Sequence, residues 1–182
     1  MAEPDVEEAD WIRSIQRGRS RAASTALVER YYGEINRYLR RQLPDRDLAD
    51  DLTQEVFVAV LLSIDRFDAR RASFRTWLFR IATNKLVDHL RRLRRRGQPT
   101  GLDEFDPADP TDVADWVADA DLARRALAVL RAHPPRVQQI VGLKVFAGST
   151  FSEIGDALGI PEATAKTSYY RGLMSVRKEL ES

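Results

Sequence analysis

A helix-turn-helix pattern in the last third of the chain constrains the fold more than any other feature. Thr150 and Glu153 have the spacing of a capping box at a helix start. Apolar residues then recur on one helical face at Phe151, Ile154 and Leu158. Gly159 predicts a tight turn, and Pro161 predicts the next helix start, because its missing N–H costs nothing there. This order is typical of proteins that insert a helix into the major groove, although a small helical bundle can contain the same turn.

The second helix of this pattern carries polar side chains that are long enough to reach base edges and phosphates. They are Lys166, Thr167, Tyr170 and Arg171. Arginine pairs bidentately with guanine, and threonine contacts a thymine methyl group or a phosphate. The segment therefore predicts a reader of duplex DNA.

Apolar residues recur at three- and four-residue intervals through most of the chain, which predicts helices. The expected helices lie near residues 7–17, 22–42, 47–64, 73–95, 119–131, 135–147, 151–158 and 162–180. No strand pattern of period two is convincing, and no internal repeat is visible. The predicted fold class is all-α, with two small helical domains joined by a flexible acidic linker, the C-terminal domain containing the helix-turn-helix. The predicted boundaries are 1–96 for the first domain, 97–119 for the linker and 120–182 for the second domain.

Positive and negative charges are segregated along the chain, although the formal net charge is only +1. Between Arg66 and Arg96 only Asp68 and Asp88 oppose a dense run of basic residues. The segment 97–119 has no Lys or Arg and is rich in Asp and Pro, which indicates an extended or disordered linker. Self-repulsion within the arginine cluster at 91–96 would be relieved by a polyanion, with counterion release adding affinity.

The loop before the fourth predicted helix combines one aromatic residue with cations. Phe67 precedes Arg70 and Arg71, a combination that suits unstacked bases, where stacking and phosphate contacts act together. We expect the apolar residues that follow to lie in the core: Trp77, Leu78 and Ile81. The first half of the chain is thus predicted to bind the opened, single-stranded form of the nucleic acid, and the second half to bind duplex DNA.

Composition argues against several other classes of protein. The chain has no cysteine, and its two histidines, His89 and His133, lack metal-ligand spacing. We find neither a Gly-rich phosphate loop nor a nucleophile elbow, so we expect no catalytic residues, no metal and no cofactor. The acidic start does not resemble a signal peptide, and no apolar run approaches the roughly 20 residues of a membrane span. The expected location is the cytoplasm, without membrane insertion.

Three blocks of the chain, taken in order, resemble the bacterial extracytoplasmic-function sigma factors. The blocks are DLADDLTQEVF, SFRTWLFRIATNKLVDHLRR and the helix-turn-helix. The resemblance implies that the first domain is sigma region 2, which binds core RNA polymerase and the −10 promoter element. The second domain would be sigma region 4, which binds the −35 element and the flap of the β subunit. Many members of the family are held inactive by an anti-sigma factor, so the resemblance makes that partner an expectation.

The resemblance also assigns roles to individual residues. Asp51, Gln54 and Glu55 match the Asp-x-x-Gln-Glu motif that docks on the clamp helices of the β′ subunit. The residues matched to the duplex and melted −10 element are Phe67, Arg70, Arg71, Ser73, Asn84, Lys85, Asp88, Arg91 and Arg92. Those matched to the −35 element are Thr164, Lys166, Thr167, Tyr170 and Arg171. Ser168 stands where Lys or Arg is common, so one phosphate contact is expected to be missing.

Other interpretations remain open from the sequence. A conventional repressor or activator would use the same helix-turn-helix, usually as a dimer on a palindrome, but it leaves the Asp51, Gln54 and Glu55 cluster unexplained. An enzyme lacks support in the motifs, and the arginine cluster disfavours a pure adaptor. By the resemblance the linker threads towards the RNA exit channel, whereas its composition alone fits a solubilising spacer nearly as well.

Overall fold

The computed structural model describes residues 6–18, 20–43, 45–96 and 120–181, so the predicted linker at 97–119 lies outside the described residues. The helices are α1 Val6–Gly18, α2 Arg21–Arg40, α3 Arg46–Ser63, α4 Phe74–Arg95, α5 Ala120–Ala132, α6 Pro135–Val145, α7 Phe151–Leu158 and α8 Glu162–Leu180. A short 3-10 turn, Ile64–Arg66, follows α3. The described residues contain no strand, which confirms the all-α prediction.

Side-chain caps define where the helices of the first half begin. Ser20 accepts from the Ala23 amide ahead of α2, and Asp45 accepts from two amides of the first turn of α3. Ser73 accepts from the Thr76 amide, 3.1 Å away, ahead of α4. These oxygens satisfy amides that have no intrahelical partner.

The core of the first half is formed by the inward faces of α1 to α4. Side chains that are almost completely buried there include Ile15, Leu27, Ile35, Leu39, Leu52, Val56, Leu78 and Phe79. Trp77 is also buried and Ile81 is half-buried, in line with their expected place in the core. The spacing of these residues explains why each helix turns one face inward.

Helices α5 to α8 do not form a separate core. Ile140 and Leu143 of α6, with Ile154 of α7, are fully buried and belong to the same apolar cluster as the first half. Tyr38 of α2 illustrates the continuity, because its ring centroid lies 5.3 Å from Phe79 and 4.9 Å from Phe146. Helix α4 is consequently packed on one side by α2 and α3 and on the other by α6 and α7.

The helix-turn-helix has the predicted local geometry. Thr150 and Glu153 form the reciprocal capping box of α7, and Gly159 ends that helix in the left-handed conformation with a φ of 64°. Pro161 occupies the position immediately before α8 and is not its first helical residue. At Gly155 an added β-carbon would lie 2.8 Å from the Ile160 carbonyl oxygen, so α7 and the turn approach too closely for a larger residue.

Candidate nucleic-acid interface

The outward face of α3 carries the three acidic and amide side chains that sequence analysis assigned to polymerase docking. Asp51, Gln54 and Glu55 are all exposed. Glu55 is paired with Lys85 of α4, its Oε2 lying 3.2 Å from the lysine Nζ. The neighbouring Asp50 is half-buried and accepts from Asn36 and Arg40, which lower the pKa of its carboxyl group. Of the two adjacent carboxylates of α3, Asp50 therefore makes a contact within the protein, whereas Asp51 lies on the outward surface.

Two apolar side chains extend this outward face and were missed by sequence analysis. Val58 is 57% exposed and Leu62 is 72% exposed. With Asp51 and Glu55 they follow a 4-3-4 spacing, which places all four on one stripe of α3. Extending the same spacing beyond Asp51 and Glu55 along α3 would have identified both apolar residues from the sequence. The stripe combines carboxylates at one end with apolar groups at the other, as protein-binding surfaces often do.

The loop before α4 holds its aromatic residue within a small ring cluster. The half-buried ring of Phe67 lies 5.5 Å from the rings of Phe74 and Trp77, measured between centroids. Arg70 pairs with Asp68 at 2.7 Å, and this bond lowers the pKa of Asp68 to about 2. A base entering the loop would meet one edge of the ring cluster and an exposed guanidinium group.

Residues assigned to the −10 element share one face of α4 beyond this loop. Asn84, Lys85, Asp88, Arg91 and Arg92 recur at one-, three- and four-residue intervals, which aligns them along the helix. Ser73, Arg70 and Phe67 lie at its N-terminal end, so the assigned set extends along most of the length of α4. Several members already have protein partners. The Asn84 Oδ1 accepts from Gln139 Nε2 at 2.6 Å, and Asp88 pairs with Arg91.

Residues assigned to the −35 element are all exposed on α8. They are Thr164, Lys166, Thr167, Tyr170 and Arg171. The opposite face is buried through Ala165 and Gly172, and an added β-carbon at Gly172 would lie 2.9 Å from Val137 of α6. This close packing fixes α8 against its neighbours with its polar face outward.

Tyr170 is also part of an aromatic cluster at the start of the helix-turn-helix. Its ring lies 5.4 Å from that of Tyr169 and 6.2 Å from that of Phe151, while half of the residue remains exposed. Thr167 donates to the Ala163 carbonyl oxygen at 2.8 Å. Both side chains therefore have defined positions without a ligand.

In the part of the chain that the structure describes, no group of three or more His, Cys, Asp or Glu side chains is placed to hold a metal ion. None of the helices in the described ranges is both long and apolar enough to cross a bilayer.

These features define an all-helical protein that ends in a helix-turn-helix. Residues 27–96 match the family model for Sigma-70 region 2. Over 178 residues the chain is 30% identical to the ECF RNA polymerase sigma factor SigW of Bacillus subtilis, covering 93% of this chain and 94% of that protein. It is 29% identical to the ECF sigma factor RpoE of Cereibacter sphaeroides, covering 96% and 97% of the two chains. The chain belongs to the extracytoplasmic-function family of RNA polymerase sigma factors.

A solved structure has the same fold. The structure of CnrH in complex with the cytosolic domain of CnrY superposes with a TM-score of 0.64 at 22% identity, covering 96% of this chain and 97% of that one. The relatives are transcription initiation factors and not enzymes. The family prediction is thus confirmed, while the residue-level assignments to polymerase and promoter stay predictions.

Proposed function

We propose that this protein is a dissociable specificity subunit that docks on core RNA polymerase, reads a two-part promoter and promotes its melting in the cytoplasm. The observation that supports the proposal is that the three assigned residue sets lie on three different helices, with the first two sets adjoining through the pair of Glu55 and Lys85. The docking set lies on α3, the −10 set on α4 and its preceding loop, and the −35 set on α8. A sigma factor must hold polymerase and two promoter elements at once, and residue sets on different helices allow this.

Docking is proposed to use the stripe on α3. Asp51 and Glu55 supply acceptors for basic groups of the β′ clamp helices, and Gln54 supplies an amide donor and acceptor. Val58 and Leu62 add apolar area at the end of the same stripe, where burial against a partner removes them from water. The β flap is the proposed contact of the second half.

We propose that the protein reads the −35 element as duplex and the −10 element as melted strand. The exposed polar face of α8 suits the major groove of a duplex −35 element, with Arg171 as the candidate bidentate partner of guanine. The loop from Phe67 to Ser73 suits an unstacked base of the −10 element, and Asn84 offers an amide to a base edge. Trapping an unstacked base would offset part of the cost of strand separation, a few kcal/mol per step.

Regulation by an anti-sigma factor is the last part of the proposal. Its support is the family membership and the solved complex of CnrH with the cytosolic domain of CnrY. A pull-down of this protein from its own host, with and without competing core polymerase, tests for a partner that binds only in the absence of core.

The principal test is run-off transcription with core polymerase on a promoter library, with and without the protein. Transcripts that start at a fixed distance from a shared two-part motif are expected. No transcripts, combined with polymerase-independent dimer binding to a palindrome, would instead assign the protein to the conventional regulators.

Docking is tested by a double substitution, Gln54→Ala with Glu55→Ala. We expect weaker core binding with unchanged helicity, measured by fluorescence anisotropy of labelled protein. Glu29→Ala, which removes an exposed carboxylate from α2, is the matched control. Equal core affinity of the double variant and the control would refute the docking assignment.

Base reading is tested in α8 by Arg171→Ala. The expected loss is about 1–3 kcal/mol of discrimination at one −35 position, as for a bidentate base contact. Arg177→Ala, from the last turn of the same helix, is the matched control because its guanidinium already pairs with Glu181. A footprint and sequence preference that ignore Arg171→Ala would refute the contact.

A further inference from the structure

The loop of residues 67–73 that leads into α4, here called the entry loop, is attached to α1 through Gln16. The side-chain Nε2 of Gln16 donates to the Ile64 carbonyl oxygen at 2.9 Å and to the Phe67 carbonyl oxygen at 3.2 Å. Ile64 is the first residue of the 3-10 turn, and Phe67 directly follows that turn. One side chain of α1 therefore holds both ends of the turn by which the chain leaves α3.

The chemistry of this contact selects glutamine. An amide NH₂ group carries two hydrogens, so a single nitrogen can serve two acceptors that lie in different directions. Asparagine is one methylene shorter, and an ionised glutamate offers no hydrogen to either carbonyl oxygen. Because the Ile64 carbonyl oxygen also accepts from the Phe67 amide at 3.0 Å, the Gln16 bonds reinforce a turn that is already closed.

Helix α1 is a firm base for this contact. Ile12 and Ile15 are buried, and Gln16 comes four and one residues after them, which places it at the edge of the buried face. Gln16 is itself half-buried. Near the start of the helix, the Glu8 carboxylate accepts from the Tyr31 hydroxyl group of α2. A site gains precision when its supporting side chains come from such packed elements.

Phe67 is held both through its backbone and through its ring. Its carbonyl oxygen accepts from Gln16, while its ring centroid lies 5.5 Å from those of Phe74 and Trp77. The ring of Tyr31, whose hydroxyl group is bonded to α1, lies 5.5 Å from that of Phe74. Holding the backbone and the ring of one residue together fixes the direction in which the chain continues.

The exposed part of the entry loop is a turn bonded within itself. The Asp68 carboxylate accepts from the Arg70 amide at 3.0 Å and pairs with the Arg70 guanidinium group at 2.7 Å, and the Arg71 amide donates to the Asp68 carbonyl oxygen at 3.0 Å. Such a turn takes its orientation from the residues at its two ends. Ser73 is bonded to the first turn of α4 at one end, and Phe67 is bonded to Gln16 at the other.

We propose that Gln16 is a positioning residue that orients the entry loop for an unstacked −10 base, which makes α1 part of the −10-reading site. This inference rests on the proposed function, in which the loop takes up melted strand. Gln16 acts through the Phe67 backbone and does not itself touch the base. Stacking and phosphate contacts both depend on distance, so a displaced loop loses discrimination between bases before it loses its fold.

Two substitutions remove the donors of Gln16 in different ways. Gln16→Met keeps the length and the helix propensity of the side chain, and Gln16→Glu keeps its shape. Ile15→Val is the matched control, because it thins the buried face of α1 without touching either carbonyl bond. Should methionine prevent folding, the glutamate variant still tests the proposal.

The assay uses holoenzyme made from core polymerase and the full-length protein, on a promoter identified by run-off transcription. Affinity is measured for single-stranded −10 oligonucleotides with each base replaced in turn, and 2-aminopurine fluorescence reports unstacking at each position. Both Gln16 variants should lose roughly three- to tenfold of base discrimination at one −10 position, as for the loss of one or two neutral hydrogen bonds. Core affinity and −35 preference should stay at their wild-type values, and Ile15→Val should keep its −10 discrimination.

The possible failures can be told apart. Wild-type discrimination in both Gln16 variants would overturn the positioning role and leave the proposed function intact. An equal loss in Ile15→Val would also overturn it, because general loosening of α1 would then be sufficient. A wild-type protein that supports no promoter-dependent transcription with core polymerase refutes the proposed function itself, and the positioning role falls with it.

Discussion

Replacing Gly155 with alanine should destabilise the helix-turn-helix, although the same change usually strengthens a helix. Gly155 lies within α7, where alanine is favoured over glycine by about 0.5–1 kcal/mol. Its added β-carbon, however, would lie 2.8 Å from the Ile160 carbonyl oxygen and 3.3 Å from the Glu162 amide nitrogen. Both are backbone atoms, so no side-chain rotation relieves the contact.

The magnitude follows from the two opposing effects. Moving the turn by a few tenths of an ångström to accept the methyl group costs about 1–3 kcal/mol, as overpacking usually does. It also weakens the 2.9 Å bond from the Ile160 amide to the Gly155 carbonyl, worth about 1 kcal/mol. After the gain in helix propensity, the expected net loss is about 1–3 kcal/mol. At this chain length each kcal/mol lowers Tm by roughly 2–4 °C.

Gly33→Ala provides the matched control, because Gly33 is exposed in the middle of α2 with nothing near its added β-carbon. It should raise the free energy of unfolding by about 0.5–1 kcal/mol. Urea unfolding followed by circular dichroism gives both values. If Gly155→Ala stabilised the protein as much as Gly33→Ala, the close approach of helix and turn described here would be wrong.

Three further predictions concern the caps, the core and the pH dependence of stability. Thr150→Ala should cost about 1 kcal/mol in urea unfolding, because it removes the side-chain half of the α7 capping box, whereas Thr150→Ser should keep most of that stability. Tyr38→Phe leaves the buried Thr83 hydroxyl without its 3.0 Å partner and should cost about 1–3 kcal/mol, seen as a lower urea midpoint at unchanged m-value. Burial, helped by Arg92, lowers the pKa of His89 below 6.5 in the folded protein, so the unfolded chain binds a proton first as pH falls. Stability should therefore decline below about pH 6.5, and His89→Gln should flatten that decline; equal pH profiles would contradict the assignment.

Local signals account for how well the helices were predicted. The capping box at Thr150 and the left-handed Gly159 depend on a few neighbouring residues, so their spacing in the sequence was sufficient. The stripe in α2 that buries Leu27, Ile35 and Leu39 is likewise a periodic pattern within one helix. The exposed stripe on α3 was found only in part, because Leu62 resembles a core residue until its exposure is known.

The packing of α4 against α6 and α7 was beyond the reach of the same reasoning. Sequence analysis predicted two helical domains but not the contacts between them. Arg75 of α4 donates to carbonyl oxygens more than seventy residues further along the chain. Every residue carries a carbonyl group, so an arginine-to-carbonyl contact leaves no pattern in the sequence. The contact becomes visible only in the structure, where the ends of α6 and α7 pack against one face of α4.

Arginines near the start of α4 therefore have two competing sets of acceptors. Sequence analysis related the arginine cluster at 91–96 to a polyanion, whereas Arg71 and Arg80 donate to neutral carbonyl oxygens of α7 and Arg75 is shared between the Glu34 carboxylate and two carbonyl oxygens. Bonds to neutral acceptors are little affected by salt, whereas phosphate binding releases counterions and weakens steeply as salt rises.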